Sequence, residues 1–173
     1  SQRWWHYVVT PRWQALFSDK VISVSDSTKR DLVQFYAVDP ARIVTIYSGV
    51  SPTMVRSSAQ ELDIFRHKRS LPEQFILFLG TQEPRKNIPA LIRAFSLLKE
   101  AWHDERTHLV ITGNPGWLHR EVRELVTHSL FRDSIIFLET VRAEERSLLY
   151  SAASMLVYPS FFEGFGFPPL EAM

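Results

Sequence analysis

The chain of 173 residues contains no cysteine, which excludes disulfide bridges and cysteine-based metal sites and leaves its redox compartment undetermined. It has almost no excess of either charge, since 20 basic and 19 acidic residues give a formal net charge of +1. We therefore expect no general affinity for nucleic acid. No apolar run approaches the roughly 20 residues of a transmembrane helix. The 45% hydrophobic content is nevertheless enough to bury the core of one domain with chain to spare.

Both ends of the sequence suggest a fragment. It begins with Ser1 rather than an initiator methionine, and its first residues lack the pattern of a signal peptide. At the other end, Leu170–Met173 has the composition of a helix that has only begun. We therefore expect a piece of a longer protein.

Apolar strands alternate with helical patterns in two successive blocks. The first block has a helical segment at 4–17 and strands at 21–24 and 43–47 that flank a helix at 26–36. The second block has four apolar strands, which fall at residues 75–79, 108–112, 134–138 and 154–158. This alternation predicts parallel sheets with helices on both faces, a Rossmann-like α/β fold.

The stretch between the two blocks is rich in proline and serine and lacks periodicity, which is typical of a linker. We predict that residues 1–50 are the end of one domain. Residues 51–70 are predicted to be a linker with a short helix, and residues 71–173 a second domain.

Two loops of the second block carry its most distinctive chemistry. Ligands of such sheets bind beyond the carboxyl ends of the strands, where the strand order reverses. With the common order 3-2-1-4, the loop after the first strand, Gly80–Asn87, lies beside the loop after the fourth. The sequence therefore predicts that Arg85, Lys86, Glu163 and Glu171 share one crevice.

The residue types in these loops suit a diphosphate flanked by sugars. Two cations and two helix N-termini favour phosphate groups, and Gly164 and Gly166 allow a close approach of backbone amides. Carboxylates accept hydrogen bonds from neighbouring hydroxyls of a sugar ring. The plainer alternative, a loop charge and a first-turn glutamate that favours the helix dipole, stays open for Glu163 and Glu171.

Several motifs resemble one known family. The sequence EGFGFPPLEAM at 163–173, preceded by YPS, resembles the signature of retaining glycosyltransferase family 4, which has the GT-B fold. The loop LGTQEPRKNIPALIRAF is similar to the donor-phosphate loop of mannosyltransferase-like members. VISVSDSTKRDL and IYSGV resemble the end of the family's N-terminal domain. The resemblance implies that residues 1–50 end the acceptor domain and that residues 71–173 form a donor-binding domain truncated at its C-terminus.

The resemblance also implies roles for individual residues. Lys86, with Arg85, would neutralise the donor diphosphate, and Glu163 would contact hydroxyls of the transferred sugar. Glu171 would bind the nucleotide ribose. Gly113 stands in a Gly-Asn-Pro-Gly turn that is either base-binding or structural. Besides Glu171, the resemblance implies that the following residues bind the donor: Gly80, Thr81, Gly113, Thr140, Val141, Gly164, Phe165, Gly166 and Phe167.

The implied activity is retaining transfer of a hexose, with mannose the first candidate, from a GDP- or UDP-linked donor to a saccharide or lipid-linked acceptor. It implies polysaccharide biosynthesis in the cytoplasm, with peripheral association at the inner face of the membrane. We expect no cofactor and no metal, because the sequence has no Asp-X-Asp motif. We also expect little or no activity from the fragment alone.

Two positions depart from the family pattern and keep an alternative open. Thr81 stands where many members have arginine, and Glu139 stands where members usually have glycine. The alternative is a non-catalytic α/β module that binds a nucleotide or a diphosphate sugar.

Overall fold

The computed structural model describes residues 11–116, 118–138 and 141–173. The chain forms two compact units, Ser1–Gly49 and Val50–Met173. Three features of the sequence analysis lie wholly or partly outside the described residues: the first part of the helical segment at 4–17, the departure from the family pattern at Glu139, and the implied donor-binding residue Thr140.

From residue 11 onward, the smaller unit is a strand–helix–strand arrangement preceded by a helix. Its elements are α1 (Pro11–Phe17), β1 (Val21–Ser23), α2 (Asp26–Tyr36), a 3-10 turn (Pro40–Arg42) and β2 (Ile43–Thr45). The two strands pair in parallel, with Val21 opposite Ile43. The Ser25 hydroxyl caps α2 by accepting a hydrogen bond from the Thr28 amide. The Lys29 ammonium donates to the Ile43 carbonyl at 2.9 Å, so this side chain ties the helix to the second strand.

The larger unit alternates strands and helices. Its elements are α3 (Ala59–Arg69), β3 (Phe75–Leu79), a 3-10 turn (Pro84–Lys86), α4 (Ile88–Trp102), β4 (His108–Thr112), α5 (His119–Thr127), a 3-10 turn (Arg132–Ser134), β5 (Ile135–Leu138), a 3-10 turn (Ala143–Glu145), α6 (Arg146–Ala152), β6 (Met155–Leu156) and α7 (Phe167–Ala172). The strands form one parallel sheet in the order β5-β4-β3-β6. Counted from β3, this is the predicted order 3-2-1-4.

The core of the larger unit covers both faces of the sheet. Successive residues of a strand point to opposite faces, and β3 shows this with Phe75 and Leu77 on one side and Phe78 on the other. Phe78 packs with residues of α4 and α5, whereas Phe75 and Leu77 pack with residues of α3 and α6. The predicted α/β fold with helices on both faces of a parallel sheet is confirmed.

Helix α3 is part of the larger unit, although the sequence placed it in a linker. Phe65 is 3% exposed in the same core cluster as Phe75. A reciprocal capping box between Ser58 and Glu61 begins the helix. The helix is mostly polar, so its sequence gave little sign of a buried face. The three-part domain assignment otherwise stays a prediction.

An ion cluster joins the end of α3 to the turn before α6. Glu145 accepts a hydrogen bond from Lys68 at 2.9 Å and a second one from Arg69. We call Lys68, Arg69 and Glu145 the α3 clamp. The hydrogen bonds from Lys68 and Arg69 hold the pKa of Glu145 at about 2, so the clamp stays charged at neutral pH.

The last strand and last helix differ in length from the sequence expectation. Strand β6 comprises only Met155–Leu156 rather than 154–158. Helix α7 begins at Phe167 rather than Leu170. Proline fits the first turn of a helix because the amide it lacks would have no partner there, and Pro168 and Pro169 occupy that turn. Across the described part of the chain, no helix is both long and apolar enough to cross a membrane.

Candidate functional site

The loops after β3 and β6 contact each other, as the strand order requires. The Phe161 amide donates to the Arg85 carbonyl at 2.9 Å, and the Asn87 side-chain amide donates to the Pro159 carbonyl at 3.3 Å. These backbone contacts fix the two loops side by side at the carboxyl edge of the sheet.

Three of the four predicted charged residues meet between these loops. The Lys86 ammonium lies 2.5 Å from Oε1 of Glu163, and the Arg85 guanidinium lies 2.6 Å from Oε2 of the same carboxylate. Lys86 is 5% exposed, so its charge is held inside the protein rather than in solvent. We call Arg85, Lys86, Glu163 and their neighbour Tyr158 the cation cluster.

Tyr158 is a member of the site that sequence reasoning had read only as the end of a strand. Lys86 donates a hydrogen bond to its hydroxyl, and the ammonium lies 4.6 Å from the ring centroid. The ring also stacks on Phe78 in the core. Tyr158 therefore anchors the buried ammonium to the sheet, and the available signal was an aromatic residue next to a charged loop.

Glu163 stays ionised over the physiological pH range. Burial raises its pKa, but the hydrogen bonds from Lys86 and Arg85 contribute to the lowering that outweighs burial and brings that pKa to about 2. Burial lowers the pKa of Arg85, and the contacts with Glu163 and Glu83 raise it overall.

Arg85 has a second carboxylate partner, because its Nε lies 2.9 Å from Glu83. The two cations are thus matched by two carboxylates, Glu83 and Glu163. An anion that binds here must compete with these carboxylates for the same donors.

Four predicted donor-binding residues line one cavity beside the cation cluster. Gly80, Thr81, Gly113 and Val141 come from three different loops and enclose about 130 Å³. We call this the loop cavity, and its other lining residues are Leu79, Thr112, Asn114 and Arg146. A Cβ on Gly80 would lie 3.6 Å from Cε of Lys86, so Gly80 separates the loop cavity from the cation cluster.

The glycines of the Gly113–Gly116 turn have a packing role. Gly113 has a φ of +131°, and a Cβ there would lie 2.3 Å from the Gly80 carbonyl oxygen. A Cβ on Gly116 would lie 2.4 Å from the Gln82 carbonyl oxygen. Real side chains do not approach backbone this closely, so both positions require glycine. The geometry favours the structural interpretation of this turn.

Glu171 has partners other than the cation cluster. It accepts a hydrogen bond from the Tyr150 hydroxyl at 2.7 Å, and the Arg146 guanidinium lies 3.7 Å from its other oxygen. It lines a separate cavity of about 350 Å³ together with Arg56 and Ser147. Arg146 also lines the loop cavity, so this side chain connects Glu171 to the predicted donor-binding residues.

The two helix N-termini offer fewer free amides than the sequence suggested. In α4, Pro89 has no N–H, and the amides of Ala90 and Leu91 donate to the Asn87 carbonyl. In α7, Pro168 and Pro169 both lack the N–H group. A phosphate bound here would therefore be held more by the side chains of Arg85 and Lys86 than by helix amides.

The remaining predicted loop residues connect the cation cluster to α7. Gly164 and Phe165 follow Glu163 directly. Gly166 has a φ of +90° and precedes α7, and Phe167 is the first residue of that helix. The rings of Phe165 and Phe167 pack edge to face at 5.2 Å. Phe167 is thus helical, where the sequence placed it in the loop.

Within residues 11–116, 118–138 and 141–173, no three histidine, aspartate or glutamate side chains form a cluster suited to a metal ion. The expectation of a metal-independent site stays a prediction.

Comparison with known families matches both parts of the chain. The model for glycosyl transferases group 1 matches residues 59–173, and the model for glycosyltransferase family 4 matches residues 1–53. The chain belongs to the glycosyl transferases group 1 family. This confirms the family resemblance drawn from the motifs of the two loops.

Similar proteins in this family include two mannosyltransferases from Escherichia coli. The serotype-specific mannosyltransferase WbdA is 35% identical over 160 residues, which is 90% of this chain and 20% of WbdA. The O-antigen chain mannosyltransferase B is 35% identical over 154 residues, which is 88% of this chain and 40% of that protein. The chain thus spans less than half the length of these relatives.

A solved structure shows the same fold. Anabaena HepE, in complex with UDP and glucose, has a TM-score of 0.76 and 18% sequence identity. The match covers 91% of this chain and 42% of HepE. It supports the assignment of a GT-B type, Rossmann-like α/β fold.

Proposed function

We propose that this glycosyltransferase family member acts in retaining transfer of a hexose from a nucleoside diphosphate sugar to a saccharide or lipid-linked acceptor. The observation that carries the proposal is the buried Lys86, fixed beside Arg85 and Glu163 at the carboxyl edge of a parallel sheet. This is the edge at which such sheets bind nucleotides. The neighbouring loop cavity gathers residues from three loops at the same edge.

The names of similar proteins support a choice of donor sugar and nucleotide. WbdA and O-antigen chain mannosyltransferase B are mannosyltransferases by name, and the HepE structure contains UDP and glucose. We therefore propose mannose as the first candidate sugar and GDP or UDP as the leaving group. By the same comparison, the product belongs to polysaccharide biosynthesis.

The cation cluster supplies the chemistry that this reaction needs. When the bond between the anomeric carbon and the diphosphate breaks, negative charge grows on the departing phosphate oxygen. Lys86 and Arg85 stabilise that charge from fixed positions, which is worth more than the same contact in water. Because the adjoining helix N-termini are rich in proline, this stabilisation rests chiefly on the two side chains.

The carboxylates take hydroxyl groups of the donor. Glu163 is ionised and can accept hydrogen bonds only, which suits hydroxyls of the transferred hexose. Glu171, held by α6, suits the ribose. No resident cofactor is needed for this chemistry, since the two cations neutralise the leaving group. We propose a cytoplasmic location at the inner face of the membrane, where a lipid-linked acceptor would be available.

The proposal is tested by incubating the full-length protein that contains this chain with GDP-mannose and a set of UDP-sugars, with and without saccharide acceptors, and measuring the nucleoside diphosphate released. We expect release from one donor, increased by acceptor. Glu163→Ala should slow release by about a hundredfold or more, in the range for loss of one group that contacts the reacting centre. Retention of the anomeric configuration in the product would support the stereochemical part.

Glu73→Ala is the matched control, because Glu73 is an exposed carboxylate of the same unit, and it should release nucleotide at the wild-type rate. Binding of the nucleoside diphosphate by Glu163→Ala checks that this variant is folded. A near-normal rate for Glu163→Ala would contradict the proposal. A wild-type protein that binds a nucleotide sugar but never consumes it would instead support the non-catalytic module, which the threonine at position 81 motivates.

A further inference from the structure

Two side chains of α6 contact the carboxylate of Glu171, one at each oxygen. Tyr150 donates to Oε2 at 2.7 Å, and the Arg146 guanidinium lies 3.7 Å from Oε1. Residues four apart lie on the same face of a helix, so the spacing of Arg146 and Tyr150 places both against one partner. The Glu171 side chain is 11% exposed, which leaves it little freedom to turn away.

Tyr150 acts as a permanent hydrogen-bond donor at this position. Burial, followed by the hydrogen bond to the Glu171 carboxylate, raises the pKa of the Tyr150 hydroxyl far above its usual range. The phenol therefore keeps its proton at neutral pH and donates it in a hydrogen bond to the carboxylate. A carboxylate accepts hydrogen bonds only, so the bond has one direction.

Helix α6 is a fixed platform for these side chains. Leu149 and Ala152 are buried in the core beneath the sheet, and Glu145 in the preceding turn belongs to the α3 clamp. From this platform Arg146 also reaches the loop cavity, where it lies with Gly80 and Thr81. One side chain thus faces both the loop cavity and Glu171.

We propose that Tyr150 and Arg146 are positioning residues that set the orientation of the Glu171 carboxylate toward the ribose hydroxyls of the donor. Each carboxylate oxygen has two lone pairs, so one can be used by α6 while the other accepts from the ligand. A carboxylate accepts from two neighbouring hydroxyls together only when its plane is fixed, and the two contacts fix it. The inference rests on the proposed function, because it assumes that a nucleotide binds beside Glu171.

The test compares the affinity of the protein for UDP and GDP with its affinity for their 2′,3′-dideoxy counterparts, measured by calorimetry. For the nucleotide that binds, wild type should prefer the ribose form by about tenfold or more, since hydrogen bonds to a charged group have this strength. Tyr150→Phe keeps the ring and removes only the hydroxyl. We expect it to reduce the preference severalfold while binding of the dideoxy form changes little.

Three further single variants and one double variant separate positioning from a general structural effect. Glu171→Gln should lower the ribose preference, and adding Tyr150→Phe to it should lower it no further. Arg146→Gln should lower the ribose preference. It should also weaken the binding of both the ribose and the dideoxy form, because Arg146 lines the loop cavity. Tyr36→Phe removes a tyrosine hydroxyl from the smaller unit and should match wild type.

The outcomes distinguish the inference from the function on which it rests. If wild type binds neither UDP nor GDP, the proposed function fails. If wild type prefers the ribose form and Tyr150→Phe keeps that preference, the positioning role is wrong. Equal weakening of the ribose and dideoxy forms by Tyr150→Phe would also overturn it, because a structural role alone has that effect.

Discussion

The larger unit contains the same charge pattern twice. In both the α3 clamp and the cation cluster, an adjacent lysine and arginine hold one distant carboxylate, which is Glu145 in the first and Glu163 in the second. In both, hydrogen bonds from the cations bring the pKa of the carboxylate to about 2. The pattern of charges alone therefore does not distinguish a structural contact from a candidate site.

What separates the two clusters is their location and the burial of the lysine. The Lys68 side chain of the α3 clamp is 66% exposed, whereas that of Lys86 is 6% exposed. The α3 clamp joins α3 to the turn before α6, whereas the cation cluster lies at the carboxyl edge of the sheet beside the loop cavity. A buried, fixed cation next to a cavity can act on a ligand, and an exposed one mainly secures a helix. The following predictions test this difference, from the largest effect to the smallest.

The largest difference should appear when each lysine loses its charge. We expect Lys86→Met to weaken nucleoside diphosphate binding about a hundredfold, in the upper range for a charge-assisted contact. Lys68→Met should leave the affinity within twofold of wild type. Both affinities can be measured by calorimetry. Similar weakening by the two variants would show that the cation cluster has no special role in binding.

A smaller difference should appear when each carboxylate is made neutral. Glu163→Gln leaves the buried Lys86 without its charge partner, so the free energy of unfolding should fall by about 2 kcal/mol. Glu145→Gln removes the partner of the exposed Lys68 and should lower the free energy of unfolding by about 1 kcal/mol. Chemical denaturation at neutral pH measures both values.

Added nucleoside diphosphate should separate these two variants further. Its phosphates can replace the lost carboxylate beside Lys86, so the ligand should raise the melting temperature of Glu163→Gln more than that of wild type. The ligand should stabilise Glu145→Gln as much as it stabilises wild type. An equal ligand effect on all three proteins would show that Glu163 and the phosphates do not share the same cations.

The smallest effect should appear in the stability of the protein at low pH. Both carboxylates have folded-state pKa values of about 2, below the ordinary glutamate value of 4.5. Their contributions to stability are therefore complete above pH 4.5 and are lost as the pH falls toward 2. Between pH 5 and pH 3 the free energy of unfolding of wild type should fall. For each glutamine variant this fall should be smaller by on the order of 1 kcal/mol. Denaturation curves at several pH values would show this, and curves parallel to wild type would contradict it.

Much of the fold was predictable because the signals were local. Phe75–Leu79 is a continuous apolar run, and its bounds as a strand were predicted without error. Helix α4 is marked just as locally, because its apolar residues repeat at helical spacing from Ile88. Parallel alternation then implied the strand order, and the strand order implied that Lys86 and Glu163 meet.

The rest of the site depended on tertiary contacts that leave no local pattern. Nothing in the spacing of Glu171 pointed to Tyr150, because their hydrogen bond joins α6 to α7 between residues 21 positions apart. Lys86 and Tyr158 likewise meet only through the pairing of β3 with β6. The buried face of α3 was missed because only a few apolar residues mark it. The individual roles assigned to Glu163, Glu171 and the loop glycines stay predictions.

The contact between Gly113 and Gly80 has a consequence for engineering. Since the backbone of one loop occupies the space in which the other would carry a side chain, the two loops fit only as a matched pair. A chimera that imports a relative's first loop to change donor choice would have to import the second loop with it. Under the proposed function, donor preference would therefore be exchanged by paired segments rather than by single residues.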